Sequence, residues 1–213
     1  MPILEIAQPK LKRDPALIQE LREKVVPGLL VSLAKAGAVN ALVGFFETEN
    51  GRDVKEEWRQ ILVFEWPAVQ NFKDFVASAG YLEFGGKMKQ RYADGPAELK
   101  LFEVGDGVSS LFGSDTVLEY LVIKPKDASE ASVQNVLQQL QSRLPQFGTA
   151  KVVVGGSSNL ETREIALVGL YASDAELDTA KASTARQQLL ADIVNTADVT
   201  SLVAHVQRVL PLP

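Results

Sequence analysis

The chain has 213 residues, of which 46% are hydrophobic and 23% are charged, a composition ordinary for a globular protein. The formal net charge is −5 and no dense basic run occurs, so a nucleic-acid partner is not expected. The chain has no cysteine, which excludes disulfides, thiolate metal sites and cysteine nucleophiles. We see no signal peptide and no apolar run near the roughly 20 residues of a membrane helix, so we expect a cytoplasmic protein without a membrane partner.

The first hundred or so residues predict the element order β-α-β-β-α-β. Asp14 followed by Pro15 is typical of a helix start. The pair Asn50-Gly51 is typical of a hairpin turn between two strands. On these signals we predict strands at 3–7, 39–46, 58–66 and 97–104, with helices at 15–36 and 67–92.

The same order is repeated after a stretch rich in glycine and serine, residues 106–115, which we interpret as a linker. Strands are predicted at 116–123, 151–154, 164–171 and 201–210, helices start at Asp127 and Asp174, and a glycine-rich turn covers 155–159. Residues 3–5 (ILE) match 117–119 (VLE) in the second copy. We therefore predict a tandem duplication, with one unit at 1–105 and another at 116–213. A single larger α+β domain is the alternative.

A split β-α-β-β-α-β unit forms a four-stranded antiparallel sheet in the order 4-1-3-2, with both helices on one face. Here the other face is apolar as well, since the strand at 39–46 has Asn40 as its only polar residue. Strands that are apolar on both faces are buried on both faces. We therefore expect the two sheets to cover each other.

This pattern resembles the dimeric α/β-barrel superfamily and, within it, the antibiotic-biosynthesis-monooxygenase-like domains. The resemblance covers residues 2–104 and 116–210 and is carried by element order and apolar patterning, without a diagnostic motif. It implies an α+β fold in which two ferredoxin-like units close an intramolecular α/β barrel, in a monomer or a homodimer.

The superfamily includes cofactor-free monooxygenases, polyketide cyclases of secondary metabolism and haem-binding proteins. The resemblance implies a cofactor-independent enzyme, monooxygenase- or cyclase-like, acting on an aromatic or polyketide-like metabolite in an apolar pocket. One alternative is a non-catalytic protein of the same fold, of the hydrophobic-ligand-binding or stress type. Another is an interaction module that recruits a partner through an exposed apolar helix face.

His205 is the only histidine and is the first candidate for a catalytic base. It lies on the last predicted strand, which should pair with the strand at 116–123. Glu119 or Tyr120 would then lie beside it, and such a pair suits general acid–base chemistry. The alternative is a strand histidine that a neighbour satisfies or that faces solvent.

Aromatic residues on or beside the strands are candidates for substrate binding in a pocket for a flat ligand. We select Tyr171, Trp66, Phe64 and Phe46, whose alternative role is packing in the core. The segment from Tyr81 to Tyr92 contains Gly85-Gly86 and is a candidate lid or, alternatively, a simple helix break. With one histidine and no cysteine we expect no metal site and no cofactor, and haem would require His205 as its axial ligand.

Overall fold

The computed structural model describes residues 1–105, 108–113, 116–147, 151–158 and 163–210. Its strands are β1 (Ile3–Gln8), β2 (Asn40–Glu49), β3 (Arg52–Asp53), β4 (Gln60–Trp66), β5 (Glu98–Val104), β6 (Val117–Pro125), β7 (Lys151–Ser157), β8 (Ile165–Tyr171) and β9 (Ala197–Leu210). Its helices are α1 (Pro15–Glu20), α2 (Val26–Lys35), α3 (Val69–Val76), α4 (Ala79–Lys87), α5 (Glu130–Arg143), α6 (Asp174–Ala182) and α7 (Thr184–Val194). Every helix in these ranges is too short or too polar to traverse a bilayer.

The helix starts follow the capping chemistry of the sequence, with two shifts in position. The Asp14 side chain accepts a hydrogen bond from the Ala16 amide at 2.9 Å and caps α1, as predicted. In the second half the capping residues are Ser129 and Ser173, where we predicted Asp127 and Asp174. Asp127 instead accepts from the Ser129 amide and orders the turn before the helix.

The fold is α+β, and eight antiparallel strands form one closed barrel in the order β2-β4-β1-β5-β7-β8-β6-β9, with β9 returning to β2. The short β3 adds to the edge of β2. Within each half the four long strands follow the predicted order 4-1-3-2, as β5-β1-β4-β2 and as β9-β6-β8-β7. The predicted barrel is therefore confirmed, and it is closed by two seams between the halves, β2–β9 and β5–β7.

Each seam contains a glycine at a point of close backbone approach. A Cβ atom on Gly44 would lie 2.2 Å from the carbonyl oxygen of His205, and one on Gly155 would lie 2.5 Å from that of Glu103. A side chain at either position would force the strands apart. The predicted turn at 155–159 was therefore placed too early, because β7 continues to Ser157 to pair with β5. Asn159 lies outside the described residues.

The barrel interior is a packed apolar core, since alternate residues of every long strand point inward. Leu111 and Phe112 come from the predicted linker and are buried in the same core, so this segment stabilises the barrel as well as joining its halves. The outer faces of the strands are apolar too, and the helices cover them in separate clusters. Any sizeable ligand space must therefore lie outside the barrel, between strands and helices.

Replacing Phe112 by alanine should lower the free energy of unfolding by about 3–5 kcal/mol, because the ring is 3% exposed and its removal leaves a cavity. Leu82→Ala is the matched control, since Leu82 is 64% exposed and should cost less than about 0.5 kcal/mol. Urea denaturation of both variants measures the difference. Equal losses in the two would show that Phe112 does not support the barrel.

Candidate functional site

A cavity of about 570 Å³ lies between the sheet of the first half and its helices. Outward-facing residues of β1, β2, β4 and β5 form its floor, and residues of α2, α4 and the π-helical turn Met88–Tyr92 form its roof. The lining is almost entirely apolar. Glu5 and Lys89 are its charged side chains, and Gln60 and Tyr81 add polar atoms. An enclosed apolar space with a few polar groups is typical of a small-molecule site.

Glu5 is the central polar group of the cavity floor. On β1 the neighbouring Leu4 and Ile6 point into the barrel, so alternation directs Glu5 outward beneath the helices. Its carboxyl group is only 3% exposed, and the Trp66 indole Nε1–H donates a hydrogen bond to its Oε2 at 2.8 Å. Among the described residues no other side chain donates to it and no cation pairs with it.

Burial raises the pKa of Glu5 from its ordinary value of 4.5 to about 7, although the hydrogen bond from Trp66 opposes part of this rise. A carboxyl group with a pKa near neutrality can both take and return a proton at physiological pH. Burial and the nearby charge of Glu5 also raise the pKa of Tyr81, so its hydroxyl remains a neutral donor. Glu5 therefore has the properties of a general base.

The second half has a carboxylate at the matching position, but in a different environment. Glu119 is fully buried, and Arg186 of α7 donates to both of its oxygens at 2.7 and 2.6 Å. The Tyr171 hydroxyl adds a hydrogen bond at 3.3 Å. Arg186 therefore neutralises Glu119 and takes up space on the outer face of this sheet.

The structure places the three predicted catalytic residues in three separate environments. Tyr120 points into the barrel core, where its hydroxyl has no hydrogen-bond partner among the described residues. Glu119 points outward and pairs with Arg186. The side chain of His205 is 48% exposed and lies beside carboxylates at the surface. The predicted pairing of β9 with β6 is present, but Val117 is the residue opposite His205.

His205 is held between carboxylates from both halves, with Nδ1 3.1 Å from Glu47 and Nε2 3.2 Å from Asp174. It does not line the cavity that contains Glu5. This matches the alternative interpretation of a strand histidine that its neighbours satisfy.

The four predicted substrate-binding aromatics are divided between the halves. Phe64 lines the cavity, and Trp66 binds Glu5 at its floor. Tyr171 belongs to the buried cluster around Glu119, and Phe46 packs in the barrel core beneath the guanidinium of Arg59. Our sequence reasoning did not select Glu5, although it is the one charged residue in an otherwise apolar strand.

The sequence matches no protein-family model and no curated protein. Among solved structures, a "putative monooxygenase" from Fusobacterium nucleatum is 11% identical with a TM-score of 0.66, over 97% of this chain and 93% of that one. An anthrone oxidase-like protein is 13% identical with a TM-score of 0.58, over 97% and 93%. A chlorite dismutase mutant from Candidatus Nitrospira defluvii is 12% identical with a TM-score of 0.59, over 96% and 91%. The chain shares their fold.

A haem-binding protein from Thermus thermophilus also has this fold, with a TM-score of 0.53 at 10% identity. Of the residue types that ligate haem iron, the lining of the cavity contains Tyr81 and Met88 and no histidine among the described residues. His205 is held at the surface outside the cavity. Tyr81 would have to ligate iron as a phenolate, which its raised pKa opposes. We derive no step through haem.

Replacing Glu5 by glutamine should change how stability depends on pH. Between pH 4.5 and about 7 the folded protein keeps a proton on Glu5 that the unfolded chain has lost, so the wild-type protein loses stability as pH rises. Glu5→Gln removes this loss and keeps an acceptor for Trp66. Its free energy of unfolding relative to wild type should rise by roughly 3 kcal/mol between pH 4.5 and pH 8.

Urea denaturation across this range measures the effect, with Glu103→Gln as the control because Glu103 is an exposed carboxylate on the adjacent strand β5. Parallel stability profiles for wild type and Glu5→Gln would contradict a raised pKa at Glu5.

Replacing Arg186 by methionine should cost about 3–5 kcal/mol of stability, because the buried Glu119 loses both short hydrogen bonds from the guanidinium and keeps Lys181, 3.9 Å away, as its cation. Adding Glu119→Gln to this variant should recover most of the loss, since the buried and poorly paired charge of Glu119 is then removed. Thermal or urea unfolding of the single and double variants tests the pair. An additive second loss in the double variant would show that Arg186 acts by packing alone.

Proposed function

We propose that this protein is a cofactor-independent enzyme that acts on an aromatic or polyketide-like small molecule by monooxygenase-like chemistry, with Glu5 as the general base. The observation that carries the proposal is the buried Glu5 carboxyl group on the floor of an apolar cavity, with one indole N–H as its partner. The fold shared with proteins named monooxygenase and anthrone oxidase-like supports this class of reaction.

In the proposed reaction the Glu5 carboxylate takes a proton from an acidic C–H group of the bound substrate. The electron pair that remains is delocalised into the aromatic or carbonyl system and reacts with dioxygen. For an anthrone, the CH₂ group loses two hydrogens and becomes a carbonyl, while the second oxygen atom leaves as water. The apolar walls favour this step because they exclude water and raise the basicity of the carboxylate.

We further propose that the chain is a tandem duplication of an antibiotic-biosynthesis-monooxygenase-like domain, with units at 1–105 and 116–213. The common strand order of the halves supports this. So do the paired positions of Glu5 with Glu119 and of Trp66 with Tyr171, since each carboxylate accepts a hydrogen bond from the matching aromatic side chain. On this proposal the first half keeps the reactive site.

A non-catalytic hydrophobic-ligand-binding or stress-type protein is the second candidate. The scarcity of polar groups around the cavity favours it, because Glu5 is the only carboxyl group among the described residues that line the space. Both candidates bind a ligand in the cavity, but only the enzyme converts it to a product.

Oxygen uptake with anthrone as the probe substrate tests the proposal. The value of kcat/KM should rise with pH through about 7 as Glu5 loses its proton. Glu5→Gln should lower it by about a hundred-fold or more, the usual contribution of a general base. His205→Gln should leave it unchanged, because His205 lies outside the cavity.

If oxygen uptake survives in Glu5→Gln and disappears in His205→Gln, the role of general base belongs to His205. Binding of anthrone without oxygen uptake in any variant would favour the ligand-binding candidate.

A further inference from the structure

The lining of the cavity follows the chain from Glu5 through Ala7 to Pro9, so Glu5 lies near one end. Glu5 lies opposite Phe64 in the pairing of β1 with β4. Two residues further, Ala7 lies opposite Leu62, and beyond them the backbone N–H of Gln60 donates to the Pro9 carbonyl at 3.0 Å. All of these residues line the cavity. The four residue steps from Glu5 to Pro9 span about 13 Å of strand.

The roof of the cavity runs in the same direction. Tyr81 lies at the Glu5 end of the cavity. Its ring centroid is 4.9 Å from that of Phe75, and the Phe75 centroid is 5.3 Å from that of Trp66, which binds Glu5. After the roof helix ends, Ala93 pairs with Leu11, just beyond Pro9. The eight helical residue steps from Tyr81 to Lys89 span about 12 Å, which matches the floor. Lys89 therefore lies at the end of the cavity opposite Glu5, close to Gln60.

Lys89 differs from the other cations of its segment. Lys87 pairs with Glu83 at 2.6 Å, and Arg91 pairs with Glu20 at 2.6 Å. Neither of these cations lines the cavity. Lys89 lines it and has no carboxylate partner among the described residues. The cavity thus has a buried carboxyl group at one end, the exposed Lys89 at the rim of the other, and apolar walls between them.

We infer that the cavity binds an elongated, mainly apolar organic acid, with its carboxylate at Lys89 and its proton-yielding end at Glu5. The inference deepens the proposed function, since it specifies the substrate class of the same site. An anionic group beside the Glu5 carboxylate would be repelled, whereas an anionic group at Lys89 is attracted by the opposite charge of the ammonium group. The side-chain amide of Gln60, which also lines the cavity, offers a further hydrogen-bond donor to the carboxylate.

Decanoate and decanol are suitable probes, because they share an apolar chain and differ in the charge of the head group. Isothermal titration calorimetry at pH 8 should show tighter binding of decanoate to the wild-type protein. Lys89→Gln should weaken decanoate binding by about five-fold, the size expected of one exposed ion pair, and leave decanol binding unchanged. Lys87→Gln is the matched control and should change neither, since Lys87 is exposed and faces Glu83.

The orientation is tested with Glu5→Gln. A carboxylate held at Lys89 is far from Glu5, so this variant should alter decanoate and decanol affinities by the same factor. Selective tightening of decanoate would place the carboxylate at Glu5 and overturn the inference. Equal losses of both ligands in Lys89→Gln, or no binding of either ligand to the wild-type protein, would overturn it as well.

These results are separate from the test of the proposed function. Suppose that Glu5→Gln retains oxygen uptake while Lys89→Gln binds decanoate more weakly and decanol normally. The catalytic role of Glu5 is then wrong, and the inferred ligand class is supported. If Glu5→Gln loses oxygen uptake while Lys89→Gln binds decanoate normally, the base stands and the ligand class fails.

Discussion

The pairing of β2 with β9 is the constraint on which the rest of the structure depends. It runs from Ala41 opposite Leu210 to Glu49 opposite Leu202 and joins the first half of the chain to the last strand. Together with the shorter β5–β7 seam it converts two four-stranded sheets into one closed barrel, in which each of the eight long strands described has a partner on both sides. Because the enclosed space is filled by side chains, the outer face of the sheet is where a ligand can bind.

The two halves have the same architecture, but they place the matching carboxylates in opposite electrostatic environments. In the second half, a buried carboxylate is paired with a buried guanidinium, and the pair is enclosed by a tyrosine and the helices. In the first half, the matching carboxylate has an indole N–H and open apolar space. Burying an unpaired carboxylate is unfavourable, so Glu5 lowers the free energy of unfolding at neutral pH. Such a loss, confined to one cavity, is typical of a functional site.

Much of the fold could be predicted from the sequence, because its signals are local. The Asp14–Pro15 helix start and the Asn50–Gly51 turn depend on residues next to each other, and both are present in the structure. The strand order followed from the repeated element order. The helix caps at Ser129 and Ser173 were missed by one or two positions, because several short polar side chains compete for the same amides. The buried role of Leu111 and Phe112 depends on the closed barrel and has no local signal.

The candidate site was harder to predict, because it depends on distant residues. The chemistry of Glu5 depends on Trp66, some sixty positions along the chain, and on the lack of a cation like Arg186 above it. Residues 3–5 of the first predicted strand closely resemble residues 117–119 of the strand at 116–123, which carries the carboxylate paired with Arg186. His205 attracted attention as the only histidine, but the register of β6 with β9 places Val117 beside it and leaves its ring at the surface.

The covalent join between the halves has a consequence for how such a protein changes over generations. In a barrel built from two identical chains, every mutation appears twice, so both sites must keep the same residues. Here a mutation alters one half alone, so an arginine could be placed over Glu119 without closing the cavity over Glu5. The single chain thus allows one half to specialise in holding the barrel together, and leaves the residues of the other half's cavity free to change separately.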